Sequence, residues 1–600
     1  MSGITGWTDY SKQLSTDGGI VKAMTRRLNS GGEEGFLVSE HTLLGVAAPG
    51  EDQPVMTLDG DGMYILVFNG EIYNTADIFY ALEQKGHRPT SKTTGWAILH
   101  AYMEWGDEFL NRLNGVFSIA LRDSARQRLI LARDRLGVKT LFCHRTETGL
   151  IFASNIKALL EHPEIAPRLG VSGLSEIFTL GPARVIGSGI FEGVDELKPG
   201  TYLTFSPDGI ETKSYWSLKS RPHDESFEET VLSVRELVQD AVRRQTGGDS
   251  LGFMLSGGLD SSAVCAIAAS STDAPINTYS LDYHGNDLHF TASAYQPNAD
   301  APWALRASAF LKSRHSVITL DTDLLAQSLT EAVRARDFPG MADVDSSLLL
   351  FLQQIRNHSE IAVGGECADE FFGGYPWFYR AAEDDTVFPW TRRLNQRIKL
   401  YSPELIRLIR PEEYLRSQYK EALAETPILG DEPSEEQIAR RISYITITRW
   451  LPVLLERQDR ISTHARLTLR APFSDYRIAD YMWNVPWNMK YRHGREKTLL
   501  RYAMETHLPT DIIRRKKSPF PKTHNPEYID LLKAGTLKML NDSNSRLVPL
   551  LDKTAVRSFA ESMTPDVDMP WFGQLMNAPQ FLAYLLQVDF WLTEYGVELI

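Results

Sequence analysis

The sequence predicts an α/β protein of two domains, the second built on a doubly wound parallel sheet with a helical part after it. Three observations carry this prediction. The chain has 600 residues, more than one hydrophobic core usually holds. Short strand patterns separated by turn residues fill the chain to about residue 210. Beyond that point apolar strands alternate with amphipathic helices, which is typical of a parallel sheet.

We place the N-terminal domain at residues 1–210 and the C-terminal domain at 211–600, because residues 206–226 form a polar, turn-rich segment. In the first domain we expect Asn69-Gly70 to form a turn and Asn74 to cap a helix that reaches Leu82. The predicted strands of this domain cover residues 62–68, 116–121, 128–132 and 150–153.

The C-terminal domain begins with a predicted helix and then repeats strand and helix. The predicted helices cover residues 228–243 and 261–269, and the predicted strands 250–255, 276–281, 317–320 and 361–363. From about residue 390 the pattern is mainly helical. Doubly wound sheets bind their ligands at the carboxyl ends of the strands, so we expect the site in the loops that follow these strands.

Composition excludes several classes of protein. A chain with 43% apolar and 23% charged residues is globular rather than disordered. The net charge of −14 argues against a nucleic-acid partner. Cys143, Cys265 and Cys367 are far apart and fit neither a disulfide framework nor a zinc site. No segment has the pattern of a signal peptide or of a membrane helix, so we expect a cytoplasmic protein with no membrane partner.

The strongest local signal is LSGGLDSS at residues 255–262, a predicted strand-to-helix turn. Gly257 and Gly258 let the backbone approach an anion, and the helix N-terminus offers free N–H groups with a partial positive charge. Asp260 suits Mg²⁺ bound to phosphate better than phosphate itself. No Walker A sequence is present. A bare Ser-Gly-Gly could equally be a helix-capping turn, but the full motif predicts a pyrophosphate loop.

This loop resembles that of enzymes which split ATP into AMP and pyrophosphate, and three further motifs are similar to those of asparagine synthetases. These are GGECADEFFGGY at residues 364–375, DRISTHARLTLRAPFSD at 459–475, and REKTLLRYA with RRKKSPFPKT at 495–503 and 514–523. The resemblance covers nearly the whole chain. It implies an ATP-dependent, AMP-forming ligase that uses Mg²⁺ and joins a carboxylate to ammonia or an amine. It leaves the oligomeric state open, with a homodimer among the alternatives.

By position, the resemblance implies that Asp260 and Asp369 hold Mg²⁺. It makes Glu366 the base for the attacking nitrogen and Lys497 the cation that stabilises the adenylation transition state. Without it, Lys497 would be interpreted as a solvated helix lysine, and the basic run at 514–517 would equally suit a solvated surface. The implied ATP and pyrophosphate contacts are Leu255, Ser256, Gly257, Gly258, Asp260, Ser261, Ser262, Ser280, Gly364 and Gly365. The chain departs from the family pattern at Gly364 (usually serine), Cys367 (usually glycine) and Thr468 (usually glutamate).

FNGEIYN at residues 68–74 resembles the glutaminase signature of the same family, in which Asn69 and Gly70 form the oxyanion hole. The resemblance implies an αββα fold like that of N-terminal-nucleophile amidotransferases. That chemistry requires a cysteine at position 2, where this chain has Ser2, a far weaker nucleophile. The arginine of the family's RGPDD segment has no counterpart at residues 30–34, and the arginine that grips the glutamine carboxylate in the family has none in the shortened stretch at residues 45–54. Thr94 and Trp96 lie where the family holds the glutamine amino group, and we expect Trp96 to fill that space.

We therefore predict an active synthetase domain beside a degenerate glutaminase domain. Free ammonia, an external amine and a partner glutaminase are the alternative nitrogen sources, and the acid is aspartate or a specialised relative of it. Three other readings stay open. They are a non-catalytic scaffold, glutamine hydrolysis through Ser2, and a β-lactam-forming cyclase, although such cyclases typically have a tyrosine at the position of Glu366.

Overall fold

The computed structural model describes residues 3–28, 33–47, 53–60, 62–248, 250–292, 296–379, 386–564 and 569–600. The strands are β1 Gly3–Asp9, β2 Glu34–Val38, β3 Thr42–Ala47, β4 Val55–Asp59, β5 Gly62–Ile72, β6 Gly115–Asp123, β7 Arg128–Arg133, β8 Phe142–Arg145, β9 Gly149–Ala153, β10 Arg168–Leu169, β11 Val194–Glu196, β12 Thr201–Ser206, β13 Gly209–Ser214, β14 Leu251–Met254, β15 Asn277–Tyr283, β16 Arg314–Leu320, β17 Ile361–Val363, β18 Thr468–Arg470 and β19 Glu598–Leu599.

The α-helices are α1 Gly18–Leu28, α2 Thr75–Gln84, α3 Thr94–Trp105, α4 Phe109–Arg112, α5 Ile156–Leu159, α6 Val171–Ser175, α7 Phe227–Gln245, α8 Leu259–Ala269, α9 Asn286–His289, α10 Ala301–Leu311, α11 Thr322–Gln327, α12 Leu329–Arg336, α13 Asp343–Arg356, α14 Ala368–Phe372, α15 Leu394–Arg397, α16 Pro403–Ile409, α17 Pro411–Ala424, α18 Ser434–Ile445, α19 Leu451–His464, α20 Tyr476–Asn484, α21 Trp487–Lys490, α22 Thr498–Ala503, α23 Thr510–Arg514, α24 Glu527–Asn541, α25 Lys553–Glu561 and α26 Ala578–Glu594.

The chain forms two compact units. The N-terminal unit contains the residues up to Arg168 together with Val185–Leu218 and Leu454–Asp459. The C-terminal unit contains Leu169–Arg184, Lys219–Val453 and Arg460–Ile600. The boundary predicted at residue 210 falls inside β13, which pairs with β12 over its whole length.

Two antiparallel six-stranded sheets form the N-terminal unit, in the orders β11-β8-β9-β1-β3-β2 and β13-β12-β7-β6-β5-β4. One hydrophobic core lies between the sheets and includes Ile4, Val46 and Val67. A second core joins β5 and β6 to α2 and α3 and includes Phe68 and Trp96. Helix α1 packs against the first sheet. The predicted αββα order of layers is therefore confirmed.

The predicted turn at Asn69-Gly70 is wrong, because both residues lie inside β5. They pair with Ser118 and Phe117 of β6. Gly70 has a φ of +138°, and a Cβ there would lie 1.9 Å from the Val116 carbonyl oxygen. The preference of Asn-Gly for turns is local, and the long pairing with β6 overrides it.

The C-terminal unit contains the predicted doubly wound sheet, with all neighbours parallel in the order β16-β15-β14-β17-β18. The predicted strands and helices at its start are confirmed to within a few residues. Helix α7 begins with a capping box between Ser226 and Glu229. The three-residue strand β18 was not predicted, because the helical pattern of the surrounding sequence hides so short a strand.

None of the helices that the structure describes is both long enough and apolar enough to cross a membrane. Cys143, Cys265 and Cys367 are free thiols and all are buried.

The stability of the N-terminal unit is expected to fall as the pH drops from 6.5 towards about 4, because of His162. This residue is 1% exposed, and its ring lies edge-on to the Trp7 ring, with the ring centroids 4.7 Å apart. Burial lowers the pKa of His162 from 6.5 to about 4. The unfolded chain therefore binds this proton at a higher pH than the folded chain, so stability present above pH 6.5 is lost below it.

The test compares thermal unfolding of the original chain with that of His162→Phe, whose ring stays neutral. Between about pH 7 and pH 5 the original chain should lose about 2 kcal/mol more than the variant. Identical pH profiles for the two proteins would contradict this assignment.

Candidate active site

The C-terminal unit brings two loops together at one edge of its parallel sheet. β14 is the first strand of this sheet in the chain. The next two strands, β15 and β16, lie on one side of it, and β17 and β18 lie on the other. Such a reversal of strand order leaves a crevice at the carboxyl ends of the strands. The loops at residues 255–258 and 364–367 follow β14 and β17, so the predicted site residues meet at this crevice.

The glycine loop after β14 has the geometry of an anion site. Gly257 has a φ of +69°, and a Cβ there would lie 2.2 Å from the carbonyl carbon of Trp303 in α10. No other residue fits this position. Gly258 precedes α8, whose first N–H groups have no acceptor within the helix. The Oγ atoms of Ser256 and Ser261 lie 3.1 Å apart beside them.

Three other residues predicted to contact the nucleotide, Leu255, Ser262 and Ser280, differ in their hydrogen bonds. The Leu255 N–H donates to the Tyr279 carbonyl at 2.8 Å and so ties the loop to β15. The Ser262 Oγ is buried with no hydrogen-bond partner among the residues described. The Ser280 hydroxyl instead forms a 3.0 Å hydrogen bond with the ring of His315 in β16.

The loop after β17 depends on two glycines. A Cβ at Gly365 would lie 2.6 Å from the Ser261 nitrogen, so this loop packs directly on the first turn of α8. At Gly364 a Cβ would lie 2.0 Å from the Glu366 Oε2, so the glutamate folds back over the end of β17. Cys367 follows with a φ of +77°, a conformation that favours glycine. Gly364, in place of the family's usual serine, and Cys367, in place of its usual glycine, therefore both lie next to Glu366.

Two carboxylates and two lysines form the centre of the site. The Lys497 Nζ lies 2.5 Å from the Asp260 Oδ2 and 2.5 Å from the Asp369 Oδ1. The Lys517 Nζ lies 2.6 Å from the Asp369 Oδ2. The Lys497 side chain is 2% exposed and that of Lys517 is 20% exposed, so Lys497 is enclosed while solvent reaches Lys517. The structure therefore brings together Asp260, Asp369 and Lys497 as predicted.

The protonation of this cluster follows from burial and charge. Burial would raise the pKa of Asp369, but Lys497 and Lys517 hold it at about 2. Burial raises the pKa of Asp260, and the charge of Asp369 adds to this effect against the attraction of Lys497. Burial opposes the charge of Lys497, yet the two carboxylates raise its pKa above the ordinary value. Asp369 and Lys497 are therefore both charged at neutral pH.

Gly374 makes the approach of Lys497 to Asp369 possible. A Cβ at this position would lie 1.9 Å from the Asp369 Oδ1 and 2.3 Å from the Lys497 Cε. The Gly374 N–H also donates to the Asp369 backbone carbonyl at 2.8 Å. Gly374, the second glycine of the GGY sequence, thus leaves the space in which Lys497 and Asp369 meet. Sequence analysis did not assign this role.

Lys517 is a site residue that sequence analysis missed, since it was treated only as part of a basic run. Its segment is held in place by Arg501, which donates to the carbonyls of Ile513 and Arg515 and pairs with Glu496. Glu496 in turn accepts the Lys517 backbone N–H at 3.2 Å. The only signal in the sequence was the similarity of RRKKSPFPKT to a family motif.

Glu370 is a second residue that sequence analysis missed. Burial, aided by the charge of Asp369, raises the pKa of this carboxyl to about 7. It accepts a 2.7 Å hydrogen bond from the Tyr375 hydroxyl. The Tyr375 ring stacks on Trp377 with centroids 4.2 Å apart, and the Lys517 Nζ lies 5.9 Å from the Tyr375 centroid. The stacked rings of Tyr375 and Trp377 and the buried Glu370 carboxyl therefore lie close to Lys517.

The predicted glutaminase residues of the N-terminal unit are only partly described. Ser2 lies outside the described residues. Asn69 is 4% exposed and, with Gly70, lies in β5. Thr94 is the first residue of α3.

Trp96, in the first turns of α3, is 5% exposed. Its ring stacks on His100 with centroids 3.7 Å apart, and the indole N–H donates to the Thr90 hydroxyl at 3.1 Å. The ring belongs to the hydrophobic core that joins α2 and α3 to β5. That it also fills the space of a glutamine substrate stays a prediction.

Comparison with known proteins gives this geometry a family. A family model described as asparagine synthase matches residues 233–593, and one described as a glutamine amidotransferase domain matches residues 1–216. Glutamine-hydrolyzing asparagine synthetase 3 of Bacillus subtilis (strain 168) is 43% identical over 614 residues, which cover 100% of both chains. The chain belongs to the asparagine synthetase family. It is therefore a ligase of a family that carries out ATP-dependent amide synthesis.

More distant proteins agree less closely. Glutamine-hydrolyzing asparagine synthetase 2 of Bacillus subtilis (strain 168) is 28% identical over 77% of this chain and 63% of its own length. Among solved structures, the glutamine phosphoribosylpyrophosphate amidotransferase of B. subtilis, complexed with ADP and GMP, has a TM-score of 0.29 at 12% identity. It covers 60% of this chain and 81% of its own. That likeness is too weak to inform function.

Asparagine synthetases use ATP, and the residues present also fit the Mg²⁺ that the resemblance implies. The Asp260 Oδ1 is buried without a hydrogen-bond partner in the part of the chain that the structure describes. A cation would satisfy this oxygen. Within the same part, no group of three or more His, Cys, Asp or Glu side chains is placed to hold a metal. Two carboxylates with phosphate oxygens are, however, the usual protein environment of Mg²⁺.

Proposed function

We propose that this enzyme adenylates a carboxylic acid and transfers the acyl group to ammonia or a small amine, without hydrolysing glutamine. A carboxylate oxygen of the acid bonds to the α-phosphorus of ATP, and pyrophosphate leaves. The nitrogen then attacks the acyl carbon, AMP leaves, and the nitrogen loses a proton. Aspartate is the first candidate acid, and a related, specialised acid is the alternative. The observation that carries the proposal is the Lys497 ammonium between Asp260 and Asp369, beside the glycine loop.

The residues of the site are suited to the first step. Negative charge accumulates on pyrophosphate as it leaves, and the free N–H groups of α8 lie next to the hydroxyls of Ser256 and Ser261. Lys517 adds a positive charge that solvent, and hence a ligand, can reach. Lys497 holds the two carboxylates in place from the buried side, and its positive charge stabilises the adenylation transition state. Bound Mg²⁺, held by Asp260 and Asp369, would neutralise further charge on the phosphates.

Glu366 is the proposed base of the second step. Its carboxylate lies at the carboxyl end of β17, folded over Gly364 and in the same loop as the start of α14, which carries Asp369. A carboxylate at this point can accept the proton that ammonia or an amine loses after it attacks the acyl carbon.

The proposal that glutamine is not the nitrogen donor is supported by the sequence of the N-terminal unit. A serine hydroxyl is much less ionised than a cysteine thiol near neutral pH, so Ser2 is a poor nucleophile. The family's arginine that grips the glutamine carboxylate has no counterpart in the shortened stretch at residues 45–54. The names of the Bacillus relatives state glutamine hydrolysis, which is said of those proteins. The free, buried cysteines are consistent with a reducing compartment such as the cytoplasm.

The test is release of AMP and pyrophosphate from Mg-ATP across a panel of carboxylic acids. Each acid is supplied with glutamine, with ammonium, or with a mixture of small amines. AMP formed with ammonium or an amine but not with glutamine supports the proposal, and the acid that works names the substrate. Turnover with glutamine would overturn the silent glutaminase. No AMP under any condition would favour the non-catalytic scaffold.

Installing the missing nucleophile alone is expected to leave glutamine unused. Ser2→Cys should release less than about a hundredth of the glutamate expected of a working glutaminase, because the groups that position glutamine are missing too. Ser2→Ala is the matched control and should match the original chain with ammonium. Glutamine-dependent AMP formation by Ser2→Cys would show that the rest of the pocket is intact.

A further inference from the structure

We infer that Arg515 is a positioning residue that sets the place of Lys517 relative to the pyrophosphate loop. This inference rests on the proposed function, since it concerns the same loop. It assigns a role to a buried cation that touches neither of the site's carboxylates Asp260 and Asp369 in the described structure but contacts the loop from outside.

The Arg515 guanidinium joins three parts of the C-terminal unit. One of its amino groups donates to the Ser256 carbonyl at 2.9 Å, at the start of the glycine loop. The other pairs with Asp300, the residue before α10. The guanidinium carbon also lies 5.1 Å from the Trp303 ring centroid. The side chains of Arg515 and Asp300 are only 4% and 7% exposed, so water does not weaken the pair.

α10 is itself pressed against the loop. A Cβ at Gly257 would lie only 2.2 Å from the Trp303 carbonyl carbon. The Trp303 N–H donates to the Asp300 carbonyl at 3.0 Å. Arg515 therefore contacts the loop twice, directly through Ser256 and indirectly through α10. Movement of Arg515 would release both contacts.

Lys517 follows Arg515 by two residues. In an extended segment, residues two apart point to the same side. Arg515 is buried and Lys517 is half-buried. Arg514, which precedes them, and Lys516, which lies between them, are exposed. The Arg515 carbonyl is held by Arg501 at 3.0 Å, and the Lys517 N–H by Glu496 at 3.2 Å. With its backbone fixed at both residues, this short segment transmits the position of Arg515 to Lys517.

The role requires arginine rather than any cation. The guanidinium is a rigid fork that donates to Ser256 and Asp300 at once, whereas a lysine ammonium is a compact charge on a flexible stem. Arg515→Lys keeps the charge beside Asp300 and so tests geometry rather than charge. If the inference holds, the substitution loosens Lys517 and thereby weakens the grip on pyrophosphate.

The experiment is a double-mutant cycle on the affinity for Mg-pyrophosphate, measured by titration calorimetry. Arg515→Lys should weaken binding at least tenfold in the original chain. In the Lys517→Met background it should weaken binding less than threefold, because the residue through which it acts is gone. Equal losses in the two backgrounds, or no loss in the original chain, would overturn the inference.

Arg306→Ala is the matched control. Arg306 of α10 forms an exposed pair with Asp511 of α23, 2.9 Å apart, so it links the same two regions without touching the loop. Its loss should leave affinity within twofold. A loss as large as that of Arg515→Lys would also overturn the inference. Destabilisation alone would lower the binding stoichiometry and the thermal midpoint but not the affinity of the folded fraction.

If Arg515→Lys does not fold, Asp300→Asn replaces it in the cycle. This variant keeps the guanidinium and its bond to Ser256 but removes the buried charge that orients it. It should weaken binding at least threefold, again only while Lys517 is present, and unchanged affinity would overturn the inference. A chain that binds Mg-pyrophosphate but forms no AMP with any acid would overturn the proposed function, while the cycle would still decide on Arg515. A chain that binds no pyrophosphate would overturn both.

Discussion

Lys497→Met is expected to lower AMP formation at least about 1000-fold, the scale on which a positioned cation contributes to phosphoryl and acyl-transfer chemistry. Methionine keeps the length of the side chain without its charge. Asp260 and Asp369 would then face each other with no enclosed cation between them. Breaking a buried pair in this way also costs about 3–5 kcal/mol of stability. The measurement is single-turnover AMP release at saturating ATP, with the thermal midpoint recorded in parallel.

Lys490 offers a matched control for this change. It is also a buried lysine of the C-terminal unit, 6% exposed, and burial lowers its pKa to about 8. Lys490→Met should leave AMP formation within about twofold of the original, because the buried charge it removes lies outside the described cluster. A Lys497→Met enzyme that keeps more than a tenth of its activity would show that this lysine only balances charge.

Gly374→Ala is expected to lower AMP formation at least about 100-fold, because small displacements of catalytic groups have effects of this size. The added methyl would lie 1.9 Å from the Asp369 Oδ1 and 2.3 Å from the Lys497 Cε, so the pair must separate. The φ of Gly374 is not in the left-handed region, so alanine causes no backbone strain and the effect is steric. AMP release and far-ultraviolet circular dichroism together check this result.

Gly430→Ala is the control for Gly374→Ala, since a Cβ at residue 430 meets nothing within 4 Å. It should leave activity unchanged and slightly raise stability through the unfolded chain. Normal activity in Gly374→Ala would mean that Lys497 can leave Asp369 without consequence. That result would contradict the charged cluster as the observation on which the proposed function depends.

Much of the C-terminal unit was predictable because its signals are local. Strand and helix periodicities located β14, α8 and β17, and Gly257 of SGGLDSS has a conformation that few other residues adopt. The resemblance placed Asp260, Asp369 and Lys497 in one site, and the structure brings them together. Asn69-Gly70 was misassigned by the same local reasoning, because its turn preference is weaker than the pairing of β5 with β6.

Lys517, Glu370 and Gly374 show where local signals end. A run of basic residues has the same pattern on a solvated surface as in a site. The tertiary structure, in which Arg501 and Glu496 hold the backbone of this segment, places Lys517 beside Asp369. The raised pKa of Glu370 arises from burial, which depends on the packing around α14.

The sequence by itself determined the α/β class, the parallel sheet and the position of the glycine loop, because each depends on residues close together in the chain. The tertiary structure decided which cations neutralise the carboxylates of Asp260 and Asp369 and which glycine lets them meet. Lys497 and Asp260 are 237 residues apart, and their contact exists only because the sheet order brings β14 and β17 side by side and the later helices pack over that edge. Contacts of this range depend on the packing of the whole unit, which no local pattern specifies.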